Sequence, residues 1–173
     1  NLYQKFGSLG ILGQTLNSHG GSGTSNLAYG LVAYEIEKVD SSYRSSISVQ
    51  SSLVIHPINE FGTEEQKNKF LPDLIKGKKI GCFGLTESQA GSDPSSMKTI
   101  YKKTKDGYIL NGTKNWITNA PIADVFIIWA IEEKKDHKSI KGFILEKNFK
   151  GLKTSIIENK TSLKISPTGQ IIL

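Results

Sequence analysis

Between residues 83 and 92 the chain reads Phe83-Gly84-Leu85-Thr86-Glu87-Ser88-Gln89-Ala90-Gly91-Ser92, followed by Asp93-Pro94. An apolar entry gives way to hydroxyls, one carboxylate and small residues, and two glycines let the backbone come close to a bulky ligand and aim its N–H groups at it. Such a stretch can cradle a phosphate or a cofactor; the plainer reading is that Thr86, Ser88 and Ser92 only satisfy a turn. A second patch lies upstream, where seven serines fall between 41 and 52 around a single arginine, Arg44, with Ser48 one turn later. Serine is a mediocre helix former, so a helix here needs close packing or a polar ligand beside it. The planar guanidinium of Arg44 suits a carboxylate, against the plainer reading of a surface ion pair with Glu37 or Asp40.

The elements that carry these residues change character near Lys78-Lys79. Before that point the signals are helical. Glycines at 7, 10 and 13 allow a helix over Phe6 to Leu16 only if they permit close packing. His19 to Gly23 is a loop, Thr24 or Ser25 caps a helix whose apolar positions Leu27, Ala28, Leu31, Val32, Tyr34 and Val39 recur at helical spacing, and Asp40 or Ser41 caps the next, running to Phe61 with Gly62 beyond its end. Thr63-Glu64-Glu65-Gln66 is a capping box opening a short helix that Pro72 interrupts and Gly77 closes. From Ile80 short β-rich runs take over: Ile80 to Leu85, Lys98 to Lys103, Tyr108 to Asn111, Asn115 to Thr118, Val125 to Ile131, Gly142 to Glu146, and Ile171 onward. Lys105-Asp106-Gly107 and Leu110-Asn111-Gly112 supply tight turns joining strands antiparallel. The expected fold is α+β: a helical domain over residues 1–78 and an antiparallel β-barrel or sandwich over 79–173.

Composition narrows the function classes. The 173 residues carry 22 Lys+Arg against 16 Asp+Glu, a net charge of +6, which suits polyanionic partners. The lysines lie in short scattered runs (76, 78 and 79; 102, 103 and 105; 134, 135 and 138) without interleaved aromatics, a pattern of solvated faces rather than of a nucleic-acid surface. Cys82 is the only cysteine, so no intrachain disulfide forms, and its apolar neighbours make it a small buried hydrophobe in a reducing compartment. No apolar run approaches the ~20 residues of a membrane span. The chain opens on Asn1 and stops at Ile171-Ile172-Leu173 within a strand pattern, and so reads as a piece of a longer protein.

The segment 84 to 96 resembles the first signature of the acyl-CoA dehydrogenase family: Gly84, Leu85, Thr86, Glu87, Gly91, Ser92, Asp93 and Ser96 occupy the expected places. The helical front, Gly62 to Gln66, the Leu71-Pro72 step and Asn111-Gly112-Thr113-Lys114-Asn115-Trp116-Ile117-Thr118-Asn119 resemble it as well, so the likeness covers essentially the whole chain. Tyr43-Arg44-Ser45 with Ser48-Val49 resembles the glutaryl-CoA branch of the family.

That resemblance implies roles. FAD is the cofactor, held by Phe83, Gly84, Leu85, Thr86, Glu87, Ser88, Gln89, Ala90, Gly91 and Ser92, with Leu85 and Thr86 on the flavin ring and Ser92 on a phosphate or the acyl-CoA. Trp116, Ile117 and Thr118 form the second flavin element, Trp116 against the isoalloxazine and the Thr118 hydroxyl on N5. Donors there stabilise charge that collects on a reduced flavin. Arg44, Ser45 and Ser48 meet the distal carboxylate of glutaryl-CoA, and Glu37 orients Arg44. The implied reaction is α,β-dehydrogenation, with loss of carbon dioxide to crotonyl-CoA, electrons leaving to an electron-transfer flavoprotein, and a homotetramer. It implies a place in lysine and tryptophan catabolism, in the mitochondrial matrix of a eukaryote or the cytoplasm of a bacterium. The family's general base is a glutamate of a C-terminal helical domain with no counterpart here, so neither Glu37 nor Glu87 is assigned as base, and these residues alone are expected to be inactive. The rivals are an acyl-CoA oxidase, a short- or branched-chain acyl-CoA dehydrogenase, and, from another class, a basic DNA-associated or scaffold member of the fold. Trp129, without such context, is expected in the core.

Overall fold

A computed structural model describes residues 2–133 and 139–173; the lysines at 134, 135 and 138 lie outside the described residues. The chain forms two compact units, one of residues 1–82 and 159–166, the other of residues 83–158 and 167–173.

The first unit is helical: α1 (Leu2–Ser8), α2 (Asn26–Val39), α3 (Ser41–Ser48), a π-helical stretch (Val49–Ile55), α4 (His56–Phe61) and α5 (Glu64–Ile75). The helix expected over Phe6 to Leu16 ends at Ser8, because Gly10 and Gly13 turn the chain with φ of 70° and 58°, a conformation glycine adopts without strain. Close packing is nevertheless what Gly7 provides, since a Cβ there would stand 2.4 Å from the Lys76 carbonyl carbon. Ser25 caps α2 through the Ala28 N–H, yet Leu27, Leu31, Tyr34 and Val39 all stay exposed, so its apolar face is not spent on this unit's core. That core is built by Leu12, Leu16, Val54, Ile55, Ile58, Phe70, Leu71, Leu74 and Ile75.

The expected single helix from Ser41 to Phe61 is continuous but widened in its middle. Pro57 has no N–H to give and its ring crowds the carbonyl four residues back, and the stretch just before it runs as a π-helix. Gln50, within that stretch and fully buried, ties it to its surroundings: Nε2 donates to the carbonyls of Leu74 (2.9 Å) and Lys79 (3.0 Å), and Oε1 accepts from the Gly81 N–H (2.8 Å). The capping box forms, with Thr63 N–H on Gln66 Oε1 (2.9 Å) and Gln66 N–H on Thr63 Oγ1 (3.3 Å). Pro72 does not interrupt α5, which runs through it to Ile75; the carbonyl it leaves unpaired is that of Asn68, an exposed residue open to water. Gly77, at φ 64°, follows the helix end.

The strands are β1 (Gly81–Gly84), β2 (Ile100–Thr104), β3 (Gly107–Asn111), β4 (Thr113–Thr118), β5 (Val125–Glu132), β6 (Ile140–Glu146), β7 (Lys153–Ile156) and β8 (Thr168–Ile172). One sheet has the order β1-β5-β2-β3 with β6 also on β5; the other is β4-β8-β7. β2 with β3, β5 with β6, and β8 with both β4 and β7 pair antiparallel, while β2 meets the end of β5 in parallel, Ile100 opposite Ile131. The near-continuous apolar run of β5 reflects its central place, its first four residues being buried. Lys105-Asp106 tips the β2–β3 hairpin as expected, with Thr104 opposite Gly107. Leu110-Asn111-Gly112 is not a hairpin: β3 and β4 belong to different sheets, and the chain crosses at Gly112, where a Cβ would stand 2.3 Å from Thr99 Oγ1. Cys82 is fully buried, and burial raises its thiol pKa. Among the described residues no helix is long and apolar enough to cross a membrane.

Candidate functional site

The loop after β1 is built from its inside. Glu87 and Ala90 exchange two backbone hydrogen bonds of 3.1 Å, making a tight reversal with Ser88 and Gln89 at its tip. The Glu87 side chain turns inward: Oε2 accepts from the Lys98 N–H (2.7 Å) and Gln89 Nε2 (2.6 Å), and Oε1 from the Thr99 N–H (2.9 Å) and Lys114 Nζ (2.8 Å). The Glu87 and Lys114 side chains are 4% and 0% exposed. Burial opposes ionisation of Glu87, but the Lys114 ammonium and the two backbone N–H groups outweigh it and hold the carboxyl at about 2. Burial lowers the Lys114 pKa while Glu87 works against that.

The loop is bonded to β4 at successive residues. Lys114 Nζ donates to the Leu85 carbonyl (3.0 Å), the Asn115 N–H to the Thr86 carbonyl (2.9 Å), and Asn115 Nδ2 to Ser88 Oγ (3.3 Å), while Gln170 Nε2 on β8 holds Asn115 Oδ1 at 2.6 Å. The β4–β8 register shifts between Lys114 and Ile117, and in this bulge Trp116 takes φ 58°, an outlier for a bulky residue. Strict alternation would put Lys114, Trp116 and Thr118 on one face. The bulge instead buries Lys114 and turns Trp116 out, 59% exposed. Ile117 is core, and Thr118 is half-buried.

The two stretches singled out in this unit are therefore brought together. Phe83 is half-buried, its ring 5.9 Å from that of Trp129, and Trp129 is itself half-buried. Gly84 serves packing, since a Cβ would meet Ile128 Cδ1 at 2.7 Å; around Gly91 nothing lies within 4 Å of such a Cβ. Ala90 is buried, and Ser88, Gln89, Gly91 and Ser92 are exposed. Among the described residues these last four N–H groups have no internal acceptor, and neither do the Thr86 and Thr118 hydroxyls have a partner. An outward indole beside spare N–H and O–H donors suits a flat heteroaromatic ligand with electron-rich edges. The sequence reading passed over Lys114, Asn115 and Gln170. No local signal marked the first, because its burial depends on the register shift between β4 and β8.

In the helical unit, Asp40 caps α3 through the Ser42 N–H (2.6 Å). Arg44 Nε donates to Glu37 Oε2 at 2.7 Å, with the side chains 38% and 42% exposed. Glu37 also accepts from Ser41 Oγ, and this bond followed by Arg44 lowers its pKa. Only Nε of the guanidinium is used in this pair, which leaves its outer nitrogens for another anion. Ser45 and Ser48 are half-buried, and the Tyr29 hydroxyl lies 3.4 Å from Ser48 Oγ. Glu37 and Glu87 are both engaged by cations, an arrangement unsuited to a general base.

The chain matches the acyl-CoA dehydrogenase N-terminal domain over residues 1–78 and the acyl-CoA dehydrogenase middle domain over residues 82–173. A glutaryl-CoA dehydrogenase from Mycobacterium smegmatis, solved in complex with FADH2, is 44% identical with a TM-score of 0.95 over 99% of this chain and 44% of that one. The short-chain-specific acyl-CoA dehydrogenase of Clostridium acetobutylicum is 39% identical over 98% of this chain and 45% of its own. The mitochondrial isovaleryl-CoA dehydrogenase of Pongo abelii is 39% identical over 98% of this chain and 41% of its own. The chain spans less than half the length of these relatives. The chain belongs to the acyl-CoA dehydrogenase family, whose N-terminal and middle domains it carries.

Proposed function

We propose that the protein oxidises glutaryl-CoA by α,β-dehydrogenation, with loss of the distal carboxylate as carbon dioxide, and passes its electrons to an electron-transfer flavoprotein. FAD, when bound, supplies the hydride acceptor. The observation that carries the flavin half is the exposed, left-handed Trp116 fixed beside the 83–92 loop by Lys114 and Asn115. Trp116 would cover the ring, Thr118 and Thr86 would donate to its electron-rich edges, and the N–H groups of Ser88, Gln89, Gly91 and Ser92 would face its polar side or a phosphate.

The substrate half rests on Arg44. Glu37 holds Nε in place and so orients the fork of the guanidinium, leaving it to pair with a carboxylate in two-pronged fashion. Ser45 and Ser48 can add hydrogen bonds. A site that pairs a guanidinium with a substrate carboxylate disfavours acyl chains that leave it unpaired. The short-chain and isovaleryl relatives support a second reading, a monocarboxylic acyl-CoA substrate, for which Arg44 has no assigned work. The two are separated by adding glutaryl-CoA or butyryl-CoA anaerobically to the FAD-loaded full-length protein and following flavin bleaching. Glutaryl-CoA should bleach it, and Arg44→Ala should weaken that response about tenfold to a hundredfold more than the response to butyryl-CoA, as the loss of a charge-assisted pair implies. Equal losses on both substrates would remove the carboxylate role of Arg44.

A further inference from the structure

We propose that Lys114 is a positioning residue that sets the spacing between the 83–92 loop and Trp116; its bearing on a flavin rests on the reading above. Its ammonium is fully enclosed and bonds only inward, to Glu87 Oε1 at 2.8 Å, the Leu85 carbonyl at 3.0 Å and the Met97 sulfur at 3.8 Å. Leu85 and Glu87 flank Thr86, whose carbonyl is taken by the N–H of Asn115, the next residue of β4. Residues 85, 86 and 87 are thus pinned in succession by two adjacent residues of one strand. Trp116 is the residue after these two, and the bulge that sends Lys114 inward is the same one that sends the indole outward. Loop and indole are consequently held by one local arrangement.

Stability alone gives no reason for this construction. Removing two charges from water costs enough that a well-packed apolar pair of similar volume commonly does as well or better. What an apolar pair cannot do is hold a particular carbonyl and a particular carboxylate at hydrogen-bond distance from one point. The lowered pKa of Lys114, caused first by its burial, shows that this enclosure works against the ammonium that makes these bonds. The direction of the Leu85–Glu87 backbone, and with it the N–H groups at the loop tip, follows from those bonds.

The test compares Lys114→Met and the double variant Lys114→Met with Glu87→Gln against the wild-type chain, in three measurements. Urea unfolding reports stability. Amide hydrogen exchange at Glu87, Ala90 and Asn115, the protected amides of the junction, is read against the β5 amides Val125 to Ile131. FAD titration reports affinity, with the visible circular dichroism of the flavin as a signature of its orientation. Lys114→Met should destabilise, because it leaves Glu87 buried without its cation. The double variant should regain most of that stability, yet its junction amides should exchange about tenfold faster than wild type with β5 unchanged. FAD should bind it about tenfold more weakly, with an altered dichroic band. Recovery of junction protection together with stability in the double variant would overturn the positioning role. Faster junction exchange in the double variant, where the wild-type chain itself binds no FAD, would leave the positioning role standing and remove the flavin reading. Should Lys114→Met not fold, the double variant carries the comparison by itself.

Discussion

Glu87 makes stability depend on acid in a way that can be calculated and checked. Its carboxyl sits at about 2 in the folded chain against an ordinary value of 4.5. Because the folded value is depressed, the unfolded chain binds the extra proton between these limits, and stability rises with pH across that interval. The contribution is fully present above pH 4.5 and is lost as pH falls toward 2. A difference of about 2.5 units corresponds to about 3 kcal/mol, a large share of the roughly 5–15 kcal/mol that stabilises a typical domain. The near-complete enclosure of both side chains means that solvent and salt screen little of it. Glu87→Gln removes the titration and leaves Lys114 buried without an anion, at a cost of about 3–5 kcal/mol at neutral pH. Urea unfolding of both chains at intervals from pH 7 to pH 3 supplies the comparison. The wild-type advantage should be constant down to about pH 4.5 and shrink steadily below it. An advantage that stays the same at pH 3 would show that Glu87 is not held ionised by its partners, and an advantage that grows on acidification would reverse the sign of the argument.

Two glycines in the same loop should answer differently to the same substitution. Gly84→Ala drives a methyl into Ile128 and should cost about 1–3 kcal/mol in urea unfolding, whereas Gly91→Ala, with open space around it, should stay within about 0.5 kcal/mol; similar losses would mean that Gly84 is not packed as described. Gln50→Leu strands the carbonyls of Leu74 and Lys79 and the N–H of Gly81, and should lower stability by roughly 3 kcal/mol or more. A neutral result would show that the π-helical stretch is not tied to the end of α5 through this side chain.

The elements legible in the sequence are those whose signals are local. The Thr63–Gln66 capping box, the Ser25 cap, the Lys105-Asp106 hairpin and the apolar run of β5 each follow from residues adjacent in the chain. Elements decided by distant partners were not legible. β7 escaped because all four of its residues are exposed, so no alternation marks it, and it is a strand only through its pairing with β8. Asn111-Gly112 has the composition of a hairpin tip, but the close approach of Thr99 makes it a crossing between sheets. Pro57 and Pro72 look alike as helix breakers; the first follows a widened π-helical turn, and the second leaves a carbonyl on an exposed residue. At the site, Trp116 and the 83–92 loop were readable from types and spacing. Lys114 was not, because its burial depends on a bulge that only the register with β8 reveals.

The central claim is that Trp116 and the 83–92 loop form one wall of a flavin site. Trp129→Phe leaves Trp116 as the only tryptophan. The change removes an indole N–H that is buried without a partner among the described residues, so the fold should tolerate it. Titrating this variant with FAD while following tryptophan emission tests the claim directly. Saturable quenching of Trp116 that parallels the change in the flavin's own spectrum is the expected result. FAD bound with Trp116 emission unchanged would contradict it.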